Sequence, residues 1–513
     1  MEVAKSSVFW ISAVFYFFLF RILLRFLDKV WWTPVRLQAK MNSQGVRGPP
    51  YRYPHGNAKE ISRMSGQFID KEMEISHNVL PRIHPHVYAW SSVYGSKFIC
   101  WQGTECQLFV LEPEMIKEIL MNRDGVFPKM DIKGSAKKLL GDSIILNEGE
   151  KWEKIRKIAN HTFHSESLKK MVPDMSSSVA RMLDDWKAYE GKEIDVFKEI
   201  GLLTTEIISR TAFASSYMEG KHIFEMVANL TKLTVQTVFK VRFPGIRMIV
   251  KSADEIEAEK LVQRIKSSIL ELAKKREEKA RKDGEFGSDY LGQLVQLTHE
   301  CDMKKRISTE QMIEEIKAIY GAGHLTLTNL LSWTILFLAT NTDWQDKARA
   351  EVLKVFGKNS LDSDGVSRLK IMNMIINEAL RLYPPAVFLT RKVLKEVKIG
   401  DLCIPPKINI YIPIVAMHHD RRIWGEDANF FNPGRFSKGI AKATNNNTAA
   451  YLPFGLGPRT CVGLNFATNE AKIVLSMILQ KYTLALSPNY VHCPAFEFLL
   501  KPKNGVQIII NKV

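Results

Sequence analysis

Between Ser308 and about Asn341 the chain carries one continuous helical pattern, opened by Ser308 and Gln311 at the spacing of a capping box. At 1.5 Å per residue, about 34 residues span roughly 50 Å, the width of a whole domain. Such a helix has to run through a core that the rest of the chain builds around it. Gly321 and Gly323 interrupt its middle, each weakening it by about 1 kcal/mol relative to Ala. Close packing of a second helix and close approach of a bulky ligand both account for them. The 513 residues, 46% hydrophobic and 25% charged, suffice for such a core and exclude wholesale disorder or low-complexity architecture. Helical patterns dominate from Pro113 to about Leu382, while Ile408 to Ile412 alternates as a strand. Asn504-Gly505 before Val506 to Ile510 predicts a closing β-hairpin. The fold class is mainly α with small β-sheets.

Ser6 to Phe20 is a run of 15 residues without a charge, and the apolar stretch continues past Arg21 and Arg25 to Leu27. A helix needs about 20 residues to cross the hydrocarbon, and arginines near its end can snorkel. Only Lys5 precedes the run, while Arg21, Arg25, Lys29, Arg36 and Lys40 follow it, which suits an uncleaved anchor better than a signal peptide. The positive-inside rule then leaves the body in the cytosol. The expected organisation is an anchor at 1–32, a basic linker containing Pro and Gly at 33–56, and a folded body at 57–513. Arg47-Gly48-Pro49-Pro50 is a stiff, non-helical joint within the linker.

Lys and Arg number 72 against 55 Asp and Glu, a formal net charge of +17 that calls for an acidic partner such as a membrane surface, a nucleic acid or an acidic protein. The densest basic stretch, Lys274 to Lys282, includes Glu277 and Glu278 and follows an amphipathic pattern, so it reads as a solvated helix end and not a nucleic-acid site. Six cysteines scattered without CxxC spacing make neither a disulfide framework nor a zinc module. His418-His419 has no companion at metal spacing and reads as structural.

The sharpest local signal is Phe454-Gly455-Leu456-Gly457-Pro458-Arg459-Thr460-Cys461-Val462-Gly463, followed by a helical pattern. At a helix amino terminus the dipole and free N–H groups stabilise a Cys461 thiolate. Gly457 and Gly463 let the backbone fold tightly around a sulfur that carries a large planar ligand, and Arg459 can pair with an acidic group on it. Taken alone, a single cysteine is more often a small buried hydrophobe. Trp152 and Arg156 share a helix face at i,i+4, and Glu378 and Arg381 share one at i,i+3 on a helix stopped by Pro384-Pro385. Alone, both are ordinary surface patterns.

Together these segments resemble the cytochrome P-450 superfamily. The loop matches FxxGxRxCxG at Phe454, Gly457, Arg459, Cys461 and Gly463; Glu378 and Arg381 match ExxR; Trp152 and Arg156 match WxxxR. Phe431-Asn432-Pro433-Gly434-Arg435-Phe436 is similar to FxPERF with Gly434 in place of Glu, and Ala322-Gly323-His324-Leu325-Thr326 is similar to [AG]GxxT. The resemblance implies the cytochrome P-450 fold, with haem b between the long helix and the cysteine loop and Cys461 as the axial iron ligand. It implies that Arg459, Arg391, Arg156 and Trp152 serve the haem propionates, that Ala322, Gly323 and Thr326 lie against the haem, and that Glu378, Arg381 and Arg435 form a structural triad. In the family an acid precedes the threonine, and Leu325 occupies that place. Asn329 lies four residues from Leu325 and three from Thr326, so Thr326 with Asn329 is the expected proton relay, whereas His324 points largely away.

The resemblance further implies a membrane-anchored haem-thiolate monooxygenase that draws electrons from an NADPH-cytochrome reductase, activates O2 and hydroxylates an apolar small molecule. Its place would be the endoplasmic reticulum membrane, single-pass, in contact with lipid and with no nucleic acid. Tyr94-Gly95-Ser96-Lys97-Phe98 with Trp101 and Gly103, Gln44 to Tyr51, and Tyr383-Pro384-Pro385 resemble the plant clan of secologanin synthase and the cytokinin and gibberellin hydroxylases. A terpenoid or hormone-like substrate is therefore expected, in a pocket shaped by Ser135 to Leu146, Ala386 to Thr390, and the turn near Phe496 and Phe498. Leu325 also motivates a haem-thiolate isomerase or dehydratase that acts on hydroperoxides without a reductase, against which Thr326 is retained and the cysteine loop has no insertion. A membrane-tethered haem carrier or sensor is the non-enzymatic alternative.

The cytosolic topology carries its own prediction. Three glycosylation sequons, at Asn160, Asn229 and Asn446, should never meet the transferase. Endoglycosidase treatment of the chain expressed in plant cells should leave its gel mobility unchanged, and a shift would place the body in the lumen.

Overall fold

Among the described residues of the computed structural model, two helices are long and apolar enough to cross a membrane, and burial tells them apart. The apolar window in Thr309–Thr340 is 72% buried, as befits a core helix, whereas none of the window in Phe9–Asn42 is buried. The structure describes residues 2–68, 71–132, 134–215, 217–238 and 252–513, which form two units.

The first unit comprises Met1–Gln67, His84–Met130 and Thr390–Pro413. Helix α1, Glu2–Leu27, is about 39 Å long at 1.5 Å per residue. It continues through a π-helical turn at Asp28–Trp32 into α2, Thr33–Asn42. Its side chains from Phe9 to Phe20 are almost all exposed. With strands numbered in chain order, the unit's four-stranded sheet runs β1 (Lys97–Gln102), β2 (Glu105–Val110), β7 (Asn409–Ile412), β4 (Leu389–Lys392). β1 and β2 are antiparallel, β2 and β7 parallel, and β5 (Val397–Ile399) and β6 (Leu402–Ile404) form a separate hairpin. The segment 33–56 is fastened to this unit. Trp101 Nε1 donates to Gln38, the Tyr51 hydroxyl donates to the Val30 carbonyl, and the Gln44 amide takes both backbone groups of Cys403. Arg47-Gly48-Pro49-Pro50 is non-helical, as the prolines require, and lies along β1: a Cβ on Gly48 would fall 1.9 Å from the Ile99 carbonyl oxygen.

The second unit comprises Phe68–Ile83, Asp131–Leu389 and Ile414–Val513. Its main helices are α3 (Gly149–Thr162), α4 (Ser165–Trp186), α5 (Val196–Phe213), α6 (Tyr217–Val238), α7 (Ala253–Asp283), α8 (Thr309–Thr340), α9 (Lys370–Leu382) and α10 (Leu464–Lys481). Helix α8 starts and stops within a residue of the expected bounds. Its cap is half of the expected box: Ser308 Oγ accepts the Gln311 N–H at 3.1 Å, but among the described residues the Ser308 N–H does not return a bond to the Gln311 side-chain oxygen. The complete box forms instead at Ser252 and Glu255, opening α7. Helix α7 ends on the basic stretch at Gly284, which holds a left-handed φ of 80°. Arg276 departs from the solvated reading, since it is buried and pairs with Asp289 at 2.5 Å. Of the two α8 glycines, Gly323 answers to helix packing: a Cβ there would stand 2.8 Å from Ile208 Cδ1 on α5.

The closing hairpin is not the one expected. Asn504-Gly505 does turn the chain, with Gly505 at φ 73°. The next strand, β11 (Gln507–Lys512), pairs with β3 (Glu193–Asp195) and β8 (Tyr482–Leu486), while β10 (Leu499–Pro502) pairs back with β9 (Pro494–Glu497). Asp195 is the reason. Its Oδ1 accepts the Val506 N–H at 3.0 Å, and both of its carboxylate oxygens lie 2.5 Å from where a Gly505 Cβ would be. The turn therefore hands the chain to a distant strand. Gly505→Ala, strained in φ and crowded by Asp195, should cost about 1–3 kcal/mol. Thermal denaturation of the solubilised chain reads this, and an unshifted midpoint would show that the turn relaxes freely.

Candidate functional site

The cysteine loop is shaped by its own backbone. Gly455 and Gly457 hold φ values of 73° and 76°, open to glycine at no steric cost, and the Cys461 N–H closes on the Phe454 carbonyl at 2.8 Å. Phe454 packs against the core of the unit. Helix α10 starts at Leu464, three residues beyond Cys461, so the sulfur sits just ahead of the helix and not on its first turn. Gly463 has an ordinary φ of −89°, and a Cβ there would stand 3.9 Å from Cys461 Sγ, an ordinary contact, so neither backbone nor space within the chain demands glycine at this position.

Cys461 is exposed, yet the protein packed around it pushes its thiol pKa up, against the Gly463 N–H and the Arg156 charge, which lower it. Accessibility together with that degree of enclosure describes a sulfur facing an internal space. Helix α8 shows a matching feature. Ile316 to Tyr320 and all of Leu327 to Ala339 are buried, but Gly321 and Gly323 to Thr326 are only partly buried and Ala322 is exposed in the middle of a core helix.

Three of the predicted residues meet at the loop. Arg156 Nη1 donates to the Thr460 carbonyl at 2.6 Å. The Arg459 guanidinium lies 4.0 Å from the centroid of the Trp152 ring and pairs with Glu148. Trp152 thus supports Arg459. Arg459 Nη1 is buried with no partner among the described residues, a cationic donor aimed at nothing the chain supplies. Arg391 is buried on β4 in the first unit, its Nη1 donating to the Thr390 carbonyl at 2.8 Å.

Along α8, the Thr326 hydroxyl donates to the Ala322 carbonyl at 2.6 Å and Asn329 Nδ2 to the Leu325 carbonyl at 2.7 Å. Neither side chain bonds the other, and Asn329 Oδ1 is buried without a partner among the described residues. His324 faces α5, where its Nδ1 lies 2.9 Å from the Thr204 hydroxyl; burial lowers its pKa to about 4 and keeps it neutral at pH 7.

The structural triad is fully formed. Arg381 meets Glu378 with two bonds of 2.8 Å and donates to the carbonyls of His418, Ala428 and Phe430; Glu378 and Arg381 are both 0% exposed. Arg435 Nε reaches Glu378 Oε1 at 3.3 Å. Where Gly434 removes a carboxylate, Asp427 provides one, 2.6 Å from Arg435 Nη2. No pattern in the sequence marks Asp427. The same holds for Glu351, whose two oxygens accept the first three N–H groups of α9 and so cap the helix that carries the triad. His418 and His419 are structural: His418 Nε2 accepts the Leu452 N–H at 2.9 Å, and the two ring nitrogens of His419 bond Asn429 and the Leu382 carbonyl.

The family model described as Cytochrome P450 matches residues 78–510. The chain is similar to the cytochrome P450 CYP749A22 of Panax ginseng, 50% identical over 98% of this chain and 96% of that protein. It is 38% identical to an 11-oxo-beta-amyrin 30-oxidase of Glycyrrhiza uralensis and 36% identical to secologanin synthase 1 of Catharanthus roseus, over 95% of each chain in both cases.

Breaking the buried pair leaves one charge stranded, at about 3–5 kcal/mol. Glu378→Ala and Arg381→Ala should each yield little folded protein in a solubilised membrane fraction. Wild-type yield and melting in either variant would contradict the burial of the pair.

Proposed function

The chain belongs to the cytochrome P450 family and is a monooxygenase of the oxidoreductase class, and from that premise we propose that it is anchored by α1 in the endoplasmic reticulum membrane, receives electrons from an NADPH-cytochrome reductase, and hydroxylates a terpenoid or hormone-like molecule. The observation that carries the site assignment is the pairing of an enclosed but accessible Cys461 with the buried, unpartnered Nη1 of Arg459. The residues present fit haem b. Cys461 would be the iron ligand, Arg459 and Arg156 would hold the propionates, and Trp152 would keep Arg459 in place. The partly open stretch of α8 at Ala322 and Thr326 would border the haem, with Gly323 turned to Ile208. When bound, haem supplies the activation of O2 and the oxygen transfer, which no side chain here can perform.

The chain's own residues would do the rest. The Thr326 hydroxyl, bonded among the described residues only to its own helix, is free to turn its proton toward the pocket. Asn329 Oδ1 can hold a water that replenishes it, the role left vacant by Leu325. His324 is committed to Thr204 and takes no part. The names of the Glycyrrhiza and Catharanthus relatives support a terpenoid substrate. Phe388 and Phe496, 5.9 Å apart, give the expected pocket segments an apolar wall.

Cys461→Ala should abolish the red-shifted Soret band of the reduced, carbon monoxide-treated protein; a retained band would move the ligand elsewhere. In a reductase-supported assay Thr326→Ala and Asn329→Leu should each raise the hydrogen peroxide released per NADPH oxidised, while His324→Ala should not. Unchanged peroxide in the first two would sink the relay. Turnover of a lipid hydroperoxide with no NADPH oxidation would instead establish the isomerase chemistry.

A further inference from the structure

Residues 138–147, which overlap the Ser135 to Leu146 segment expected to shape the pocket and begin in the last turn of a helix at Ser135–Leu140, are held by one turn of α8. Glu315 Oε2 accepts the Ile144 N–H at 3.0 Å. Lys317 Nζ donates to the Lys138 carbonyl and to Glu314 Oε2, both at 2.7 Å. Glu314 in turn fills the place a Cβ would take on Gly141, whose φ is 64°. On its other side the loop is tied to α7, where Lys138 Nζ meets Glu259 at 2.9 Å.

These contacts are deep, with Glu315 at 0% and Lys317 at 3% exposure. Burial pushes the Glu315 carboxyl up to about 8, against the Ile144 N–H, which lowers it. Its Oε1 and the nearby Tyr290 hydroxyl have no partner among the described residues. A buried acid in a half-satisfied setting costs stability, so packing alone does not account for it. Its position on the helix is informative. Glu315 precedes Ala322 by seven residues and Asn329 by fourteen, about two and four helical turns, so all three lie on one stripe of α8.

We propose that Glu315 is a positioning residue: through the Ile144 N–H, and together with Lys317 on the Lys138 carbonyl, it fixes the 138–147 loop on the stripe of α8 that carries Ala322 and Asn329, and so sets the shape of the substrate pocket. The pocket half of this statement rests on the haem site proposed above; the loop half does not.

The test uses the full chain in phosphatidylcholine nanodiscs, with hydrogen–deuterium exchange over 138–147 and titration with 4-phenylimidazole, an azole that ligates haem iron, read by the Soret shift. Glu315→Leu should lower protection of the Ile144 peptide by about tenfold and change the azole dissociation constant several-fold. Glu315→Gln, whose side-chain carbonyl can accept the same N–H, should match wild type in both. Lys317→Met should speed exchange at 138–141. Unchanged loop protection in a folded Glu315→Leu protein, or equal loss in the Leu and Gln variants, would overturn the proposal. If Glu315→Leu does not fold, unchanged exchange in Lys317→Met overturns it instead. The exchange measurement needs no haem, so a wild-type protein lacking the thiolate band would defeat the haem reading alone.

Discussion

Everything around the cysteine loop hangs on one buried guanidinium. Arg381 spends its donors on Glu378 and on three carbonyls, those of His418, Ala428 and Phe430, which come from a stretch with little regular structure of its own. A fully buried charge is tolerable only when its donors are met in this way. The arginine therefore organises the chain between α9 and the loop. His418 carries the constraint onward. Because its Nε2 accepts the Leu452 N–H, its Nδ1 must bear the proton and donate to the Arg381 carbonyl, 3.1 Å away. Burial lowers the pKa of this imidazole to about 3, so the arrangement holds at any physiological pH. Leu452 lies only two residues before the loop, which thus inherits its position from α9.

Periodicity and short motifs make much of this legible. The long helix is readable because more than thirty residues keep one period, and the loop because glycine, arginine and cysteine recur at spacings a turn requires. The ExxR pair is readable as a pair, but its burial is not, since i,i+3 spacing looks the same on a surface. Partners that belong to no motif leave no trace: Glu351 capping α9, Asp427 standing in beside Gly434, Glu315 under Ile144. The hairpin at Gly505 fails for the same reason. A turn residue specifies that the chain reverses, while the identity of the neighbouring strand is decided by Asp195, some three hundred residues earlier.

Two expectations change meaning without being lost. Gly323 suits either a ligand or a neighbouring helix, and Ile208 supplies the neighbour. Trp152, expected to contact the ligand itself, instead braces the arginine that would make that contact. In both cases a small or aromatic residue marks crowding, and local sequence cannot tell what does the crowding.

The segment after α1 is no loose tether. Its helix continues through the π turn into α2, Tyr51 is bonded back to Val30, and Gln44 mimics a strand edge at Cys403. Each residue of an α-helix advances the azimuth by about 100°. Insertion or deletion of a single residue between α1 and α2 would thus rotate the apolar helix α1 by over a quarter-turn against a unit already fixed at Gln38 and Gln44. A foreign anchor grafted here has to match helical phase as well as length.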